Sequence, residues 1–475
     1  MMSTLGRRAK SAVSAIAERY PSQTRALADP LPGSGLRPIM GDYGVPLIGH
    51  AIPAMSDSLD FARRRFDKYG PVHWAGLVGR RVVMVAGPEA AEEVLADRDK
   101  VYSAQRGYTF FIGPFFHGGI LLRDFEEHRY HRRILQQAFT RPRLVGYLDI
   151  TSPAIERGMR DWTPNRDFQL YPAAKRLLLG LSSEVFMGAN LGSEAAGLER
   201  AFIDAVRGGQ ALVRTNLPGG LWARGLRGRA VLEDHCRREL PAKRAGNGED
   251  LFSVLCRTAS EEGHTFTDQD IVDHLIFVLL GAHDTSTIAV SMMGYQLGLH
   301  PEWQDRLRAE SQALGKESLD YADLDRLPTL DLVFKEILRM YSPVGQQIRE
   351  TVRDTAIQGQ FVPADTLVMI GSYSAMRQAR WWNDPDVFDP ERFTAERHED
   401  KAHRYTWAPF GGGAHKCIGL YFGGMTVKAI MHRMLLHYRW TVPADYTPPM
   451  GWATGPVPLD GLPIRLEHLG ASVST

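Results

Sequence analysis

Phe410-Gly411-Gly412-Gly413-Ala414-His415-Lys416-Cys417-Ile418-Gly419 places one cysteine in a glycine-rich loop directly ahead of an apolar helix pattern that runs from Leu420 to Leu435. Glycines let backbone approach a flat ligand closely, because no Cβ intervenes. A thiolate at Cys417 could receive backbone N–H bonds and the positive end of the following helix. Both lower a thiol's pKa and ready it to bind a metal. The alternative for a lone cysteine is a buried, inert thiol, since free Cys is among the most buried residue types. The fixed spacing of Phe410, Gly413, Cys417 and Gly419 favours the metal-binding alternative.

The rest of the chain sets bounds on what this loop can belong to. Hydrophobic residues at 44% and charged residues at 23% of 475 residues describe a globular protein with ample chain for a large core. A formal net charge of +1 gives no global field for phosphates, so nucleic acid is not expected as a partner. Cys236, Cys256 and Cys417 are odd in number and far apart, which fits a reducing compartment rather than a disulfide framework. The strongly apolar run Leu275 to Ala282 is far shorter than the roughly 20 residues of a membrane span, so no transmembrane anchor is expected. Arg7, Arg8, Lys10 and Arg19 among Ser and Ala allow either a membrane-surface segment or a solvated N-terminal arm; residues 1–40 are expected to be a flexible arm.

Past the Pro/Gly-rich stretch Pro30 to Pro46, the alternation from Val72 to Val85 is broken at Gly79-Arg80 and reads as a hairpin. Helical patterns follow from Pro88 and at Glu127 to Phe139, Ala173 to Phe186, Leu198 to Val213, Asp268 to Leu297, Pro301 to Leu314 and Leu330 to Met340. Strand patterns return at Thr366 to Ile370, Tyr438 to Val442 and Ile464 to Leu466. The expected fold is mainly α with a small, mostly antiparallel β region built from both chain ends. Early and late strands meeting in one sheet would leave no internal cut, so residues 41–475 are expected to form a single large domain.

Phe-x-x-Gly-x-x-x-Cys-x-Gly resembles the haem-binding loop of the cytochrome P450 family, and the resemblance extends from about Tyr43 to Leu466. It implies the helix-rich cytochrome P450 fold and haem b (iron protoporphyrin IX), with Cys417 as the axial thiolate whose electron donation favours O–O cleavage. Phe410 would pack beside the sulfur, Gly411 would be a further haem-contact residue, and His415 would reach a propionate. Leu280-Gly-Ala-His-Asp-Thr-Ser-Thr287 interrupts an apolar helix with polar residues. On spacing alone, that reads equally well as a buried Asp–Thr pair bonded to nearby backbone. In the family, Gly-x-x-Asp-Thr is the oxygen-binding stretch: Gly281 would make room for dioxygen, while Asp284 and Thr285 would deliver protons and be the catalytic pair. Peroxide-driven members typically lose this pair and sterol demethylases usually carry His in place of the acid. His283 is expected to pack or hydrogen-bond locally.

Lys335-Glu336-Ile-Leu-Arg339 and Pro390-Glu391-Arg392-Phe393 resemble the family's Glu-x-x-Arg helix and its later arginine. As a bare helix pair, Glu336 and Arg339 would contribute at most about 1 kcal/mol. The resemblance makes Glu336, Arg339 and Arg392 a buried structural network behind the haem loop, without a catalytic role. His128 and Arg132 lie one turn apart on a helix, a solvated basic face on pattern alone. The resemblance makes them propionate ligands together with Arg349, whose planar guanidinium suits a carboxylate.

Gly107-Tyr-Thr-Phe-Phe-Ile-Gly-Pro-Phe-Phe-His117 has no formal charge and reads as a loop that either packs on the protein's own core or walls an apolar cavity. By resemblance it covers a substrate pocket, with Tyr108, Phe110, Phe111, Phe115, Phe116, Phe277, Val344 and Gln346 as lining candidates and Gln347 as a further polar contact. Such a pocket suits a steroid, terpenoid or fatty-acid-like molecule. The expected reaction is insertion of one atom of O2 into this lipophilic substrate. Electrons would come from a separate ferredoxin and ferredoxin reductase, docking where Arg132, Arg133 and Lys416 gather, by salt-sensitive steering. The expected setting is bacterial cytoplasm and the expected state a monomer. Two rivals remain: a haem-thiolate ligand- or gas-sensing protein without turnover, which would not need Asp284 and Thr285, and an isomerase or dehydratase needing no external electrons.

Overall fold

The computed structural model describes residues 20–56, 58–188, 195–209, 211, 213–452 and 455–470. Residues 1–19 of the expected arm lie outside these. The remainder of the arm is held by pairing: β1 (Arg25–Ala26) lies antiparallel to β3 (Met40–Asp42), and β2 (Arg37–Pro38) runs parallel to a strand at Gln360–Val362. Leu27 and Ile39 are buried between these contacts. The hairpin read from sequence is present as β4 (Val72–Leu77) and β5 (Arg80–Val85), paired antiparallel from Val72↔Val85 to Leu77↔Arg80. Val78 and Gly79 at its tip both have positive φ, as a two-residue hairpin turn of the primed kind requires.

The strands that follow are β6 (Tyr102–Ser103), β7 (Phe168–Gln169), β8 (Gln347–Thr351), β9 (Thr355–Ile357), β10 (Gln360–Val362), β11 (Leu367–Ile370), β12 (Tyr438–Thr441), β13 (Met450–Gly451), β14 (Val457–Pro458) and β15 (Pro463–His468). A seven-stranded sheet runs in the order β1-β3-β4-β5-β11-β8-β6. Most pairs are antiparallel; β3–β4, β11–β5 and β10–β2 are parallel. The early strands meet residues 347–370, while the last strands do not join this sheet: β12 and β15 pair with each other and β15 with β7. Trp74, Val83, Val85, Val368 and Ile370 are almost fully buried in the cluster on this sheet, so the strands read as apolar runs.

The major helices are α1 (Ser58–Tyr69), α2 (Pro88–Ala96), α3 (Ala104–Phe116), α4 (Phe125–Gln137), α5 (Arg141–Met159), α6 (Leu170–Met187), α7 (Ala195–Gly208), α8 (Leu221–Ala245), α9 (Leu251–Arg257), α10 (Asp268–Leu299), α11 (Pro301–Gln312), α12 (Pro328–Met340) and α13 (Leu420–His437). The chain segregates into two compact units. One comprises the chain up to Gly107, Lys335–Cys417 and Pro449–Asp460; the other comprises Tyr108–Phe334, Ile418–Pro448 and residues from Gly461 on. The first holds the seven-stranded sheet and the cysteine loop. The second holds most of the helices.

Four helices, α1, α5, α8 and α9, escape the sequence patterns; in α5 and α8 the periodicity is interrupted by Pro142, Gly146 and Pro153 and by Gly225, Gly228 and Pro241. The aromatic stretch 107–117 also differs from expectation, since it is helix α3 rather than loop. Pro114 lacks the N–H that would bond the Phe110 carbonyl one turn back. Arg214 takes that carbonyl instead, its Nη1 donating to Phe110 O while the guanidinium stacks 4.0 Å from the Phe110 ring centroid.

Helix α10 begins where sequence placed it because Thr267 and Asp270 form a reciprocal capping box. It is 32 residues long and apolar enough to span a bilayer by length and composition, yet 67% of its most apolar window is buried. Its residues from Ile271 to Gly298 are mostly buried, as in a core helix.

Candidate active site

The cysteine loop is shaped by backbone constraints. Gly411 and Gly413 have φ of 68° and 62°, where L side chains are strained, and a Cβ on Gly413 would stand 1.7 Å from the Leu95 carbonyl oxygen. A Cβ on Gly412 would strike the Tyr405 ring. The loop closes through Cys417 N–H donating to Phe410 O at 2.9 Å, and Gly419 caps α13. Cys417 is exposed, whereas Cys236 is buried and Cys256 half-buried. Burial pushes the Cys236 thiol up to about 12 and raises that of Cys256, which leaves them protonated and poor ligands.

Behind the loop, the structural network read from sequence is present. Arg339 Nε and Nη2 bond the two oxygens of Glu336 at 2.6 and 2.8 Å, and Arg392 Nε bonds Glu336 Oε1 at 3.2 Å. All three side chains are fully buried. Arg392 has a second partner in Glu399 at 2.8 Å, which also pairs with Arg397; Arg397 bonds Asp389 at 2.6 Å, and Asp389 N–H returns to Glu336 at 2.9 Å. An aromatic series leads from this network to the cysteine loop: Arg339 and Arg392 lie over Trp382, which contacts Phe393, then Trp407, then Phe410, with ring centroids about 6 Å apart at each step.

On α10, the stripe Phe277, Gly281, Thr285 is open in an otherwise buried helix, and a Cβ on Gly281 would meet only empty space. Thr285 Oγ1 donates to Gly281 O at 2.7 Å. Asp284 Oδ1 lies 3.1 Å from Lys175 Nζ on α6 and 3.1 Å from His283 Nδ1. His283 is buried and its Nε2 donates to the Lys175 carbonyl at 3.2 Å, so it binds locally, as expected. Burial pushes the Asp284 carboxyl up, but His283 and the Lys175 ammonium outweigh it and bring it down to about 2. Sequence gave no sign of Lys175, which reads as a solvated cation 109 positions from its partner.

Lys175→Met is therefore expected to raise the Asp284 pKa toward the ordinary aspartate value of about 3.9. A depressed carboxylate pKa adds stability that is present above the unfolded value and lost as pH falls through the folded one, so the variant surrenders it at higher pH. Carboxyl titration by NMR, together with the acid limb of the pH–rate profile, should shift upward. No shift in either would remove Lys175 from the site.

The remaining candidates fall as follows. His128, buried, and Arg132, half-buried, share one face of α4. Arg349 sits in β8, buried, with Nη1 donating to Ile348 O; His415 ends the short turn Gly413–His415. Val344 and Gln346 are exposed ahead of β8. Gln347 is not free for substrate: its Nε2 donates to Ser372 Oγ at 3.1 Å and its amide abuts Gly411. In α3, Tyr108 and Phe111 are half-buried and Phe110 exposed, while Phe115 and Phe116 are fully buried. Phe115 is a correction. Its ring is in edge contact with Trp222 at 5.0 Å and fills the space left by Gly208 and Gly225, so it packs α3 on α7 and α8 instead of walling a cavity.

An exposed thiol in a glycine-rich loop, braced from behind by a buried ion network, fits a haem-thiolate protein. The donor set needs no alteration to take haem iron, and the cradle glycines are positions a Cβ would obstruct. The cytochrome P450 family model matches residues 40–219 and 230–456. The chain is 43% identical over 449 residues to the putative cytochrome P450 136 of Mycobacterium tuberculosis, spanning 93% of this chain and 91% of that one. It is 26% identical to a taxane 10-beta-hydroxylase of Taxus cuspidata, across 90% and 89% of the two chains. A cyanobacterial CYP120A1 structure with retinoic acid bound superposes with a TM-score of 0.79 at 26% identity, covering 90% of this chain and 98% of that one. The chain belongs to the cytochrome P450 family. It is accordingly a haem monooxygenase, an oxidoreductase that uses O2, redox partners and a lipophilic substrate.

Proposed function

We propose that Cys417 is the axial thiolate of a haem b and that residues 41–475 act as one haem-binding domain. His128, Arg132, Arg349 and His415 would take the propionates, Phe410 would pack beside the sulfur, Gly411 would contact the haem and Gly281 would leave room for dioxygen. The observation that carries this reading is the exposed Cys417 thiol in its glycine cradle, set against two cysteines kept protonated. Bound haem supplies the electron transfer and oxygen activation; the chain's own residues supply protons and orientation. Asp284 is ionised at neutral pH and its Oδ1 is held by Lys175, so the carboxylate is fixed as an acceptor that can orient proton-carrying water. Thr285 donates its own proton to Gly281 O, which leaves its oxygen lone pairs to orient a water molecule.

The substrate is proposed to be a steroid, terpenoid or fatty-acid-like molecule. The taxane hydroxylase and the retinoic-acid-bound neighbour support a bulky lipophile. Tyr108, Phe110, Phe111, Phe116, Phe277, Val344 and Gln346 would contact it. A ferredoxin and its reductase would supply electrons to a monomeric enzyme in a bacterial cytoplasm, with exposed Lys416 and Arg133 as docking charges.

The test combines two measurements: displacement of bound water in the absorption spectrum by a screen of sterols, terpenoids and fatty acids, and NADPH consumption with a surrogate ferredoxin and reductase. Consumption without product from any spectrally binding lipophile would favour a sensor. Thr285→Ala is expected to keep haem and substrate binding but to divert most reducing equivalents into hydrogen peroxide, measured as peroxide formed per NADPH. Full coupling in that variant would remove Thr285 from proton delivery.

A further inference from the structure

The connection from α7 to α8 carries one cation that the haem chemistry leaves unused. Among residues 209–220, Arg214 is the single formally charged side chain. It lies among aromatic rings: its guanidinium carbon is 4.0 Å from the Phe110 ring centroid and 5.4 Å from that of Trp222, which itself meets Phe115 edge-on. Nη1 donates to Phe110 O and Nη2 to Gly209 O at 3.4 Å. Stacking and the two bonds together hold the guanidinium plane in one orientation.

What Arg214 lacks is an anion. Both of its hydrogen bonds end on neutral backbone carbonyls, and among the described residues no carboxylate pairs with it. Other arginines withdrawn from solvent in the same unit are matched: Arg229 by Glu233 and Asp273, Arg123 by Glu127 and Asp270, Arg308 by Asp305. Loss of water around Arg214 pushes its guanidinium below the ordinary value, and no nearby charge offsets that. Of the five N–H donors of a guanidinium, the two carbonyls take two, and the Nε–H is among those left over. A planar fork with donors to spare, partly out of water and without a counter-charge, is a receptor for a carboxylate.

The surroundings select the molecule that carries this carboxylate. Tyr108 to Phe116 hold no formal charge, and residues 209–220 hold none besides Arg214. Phe110 is exposed, and its ring meets that of half-buried Phe111 at 5.3 Å. A small hydrophilic anion gains nothing from these faces, whereas the hydrocarbon body of a lipophilic acid is stabilised by covering them. A lone guanidinium also balances a single negative charge, which suits a monocarboxylate better than a phosphate near −2.

We propose that Arg214 binds the carboxylate of the substrate, so that among lipophiles the enzyme selects long-chain or isoprenoid carboxylic acids over neutral sterols and terpenes. This assignment rests on the reading that sets Phe110 and Phe111 against the substrate, and it makes Arg214 a specificity-determining residue without a part in oxygen chemistry.

The test is equilibrium dialysis of the full-length holoprotein with dodecanoic acid and farnesoic acid, each beside its methyl ester, with absorption spectra taken on the same samples. The wild type is expected to bind each acid at least about tenfold more tightly than its ester, the scale of one hydrogen bond to a charged group. Arg214→Gln, which keeps a donor for the Phe110 carbonyl, is expected to remove that preference by weakening the acids and leaving the esters within about twofold. Arg214→Lys should restore part of it, since it keeps the charge without the fork. Esters bound as tightly as acids by the wild type would overturn the proposal. So would an equal loss of acid and ester in Arg214→Gln, which would confine Arg214 to bracing α3. An acid bound through Arg214 in dialysis, with no displacement of water in the spectrum, would count against the haem-pocket reading and leave the carboxylate contact standing.

Discussion

Cys417→Ala is expected to eliminate the sulfur-ligated absorption band of the reduced, carbon monoxide-bound protein and to bring substrate oxidation down to background. The fold should survive this change, because the side chain is exposed and the backbone N–H that closes the loop on Phe410 O is retained. The variant thus separates ligation from architecture: circular dichroism should be unaltered while the visible spectrum changes completely. Burial pushes the Cys236 and Cys256 thiols up, away from the thiolate form that a metal takes. A band typical of histidine-ligated haem in the wild type would overturn the assignment of Cys417.

The opposite pattern is expected for Glu336→Ala, where architecture fails first. The substitution leaves the guanidinium groups of Arg339 and Arg392 facing each other in a fully buried site. Removing one partner of a buried ion pair typically destabilises by about 3–5 kcal/mol, because the remaining charge is left uncompensated. Here two cations lose the anion between them. The expected outcome is a large fall in Tm and loss of haem retention on gel filtration, rather than a folded protein with slower turnover. A variant with wild-type Tm would show that other acceptors, such as the Met376 and Val387 carbonyls already bonded to Arg339, suffice.

How far the sequence anticipated these features depends on how local each one is. The cysteine loop, the start of α10 near Asp268 and the Glu336–Arg339 pair are written within a few residues, so their spacing was legible. The hairpin at Val72–Val85 was legible for the same reason, through alternation and a turn. Helix α3 was misread because Pro114 is a helix breaker unless another donor takes the Phe110 carbonyl, and Arg214 lies 104 residues away. Phe115 was misplaced because its true neighbours, Trp222, Gly208 and Gly225, belong to other helices. Lys175 and the β7–β15 pairing are likewise products of tertiary approach, and no local pattern announces either. The same resemblance that supplied roles for His128, Arg132, Arg349 and His415 supplied no geometry for them.

The ion network behind the cysteine loop closes on itself. Arg339, Glu336, Arg392, Glu399, Arg397 and Asp389 alternate in sign, and the Asp389 N–H returns to Glu336. Three positive and three negative groups have no monopole, and the potential of an alternating set dies away faster with distance than that of any single member. The loop is therefore braced by six alternating charges that carry no net charge among them. Neutralising any one of them would leave a net charge a few aromatic rings away from Cys417.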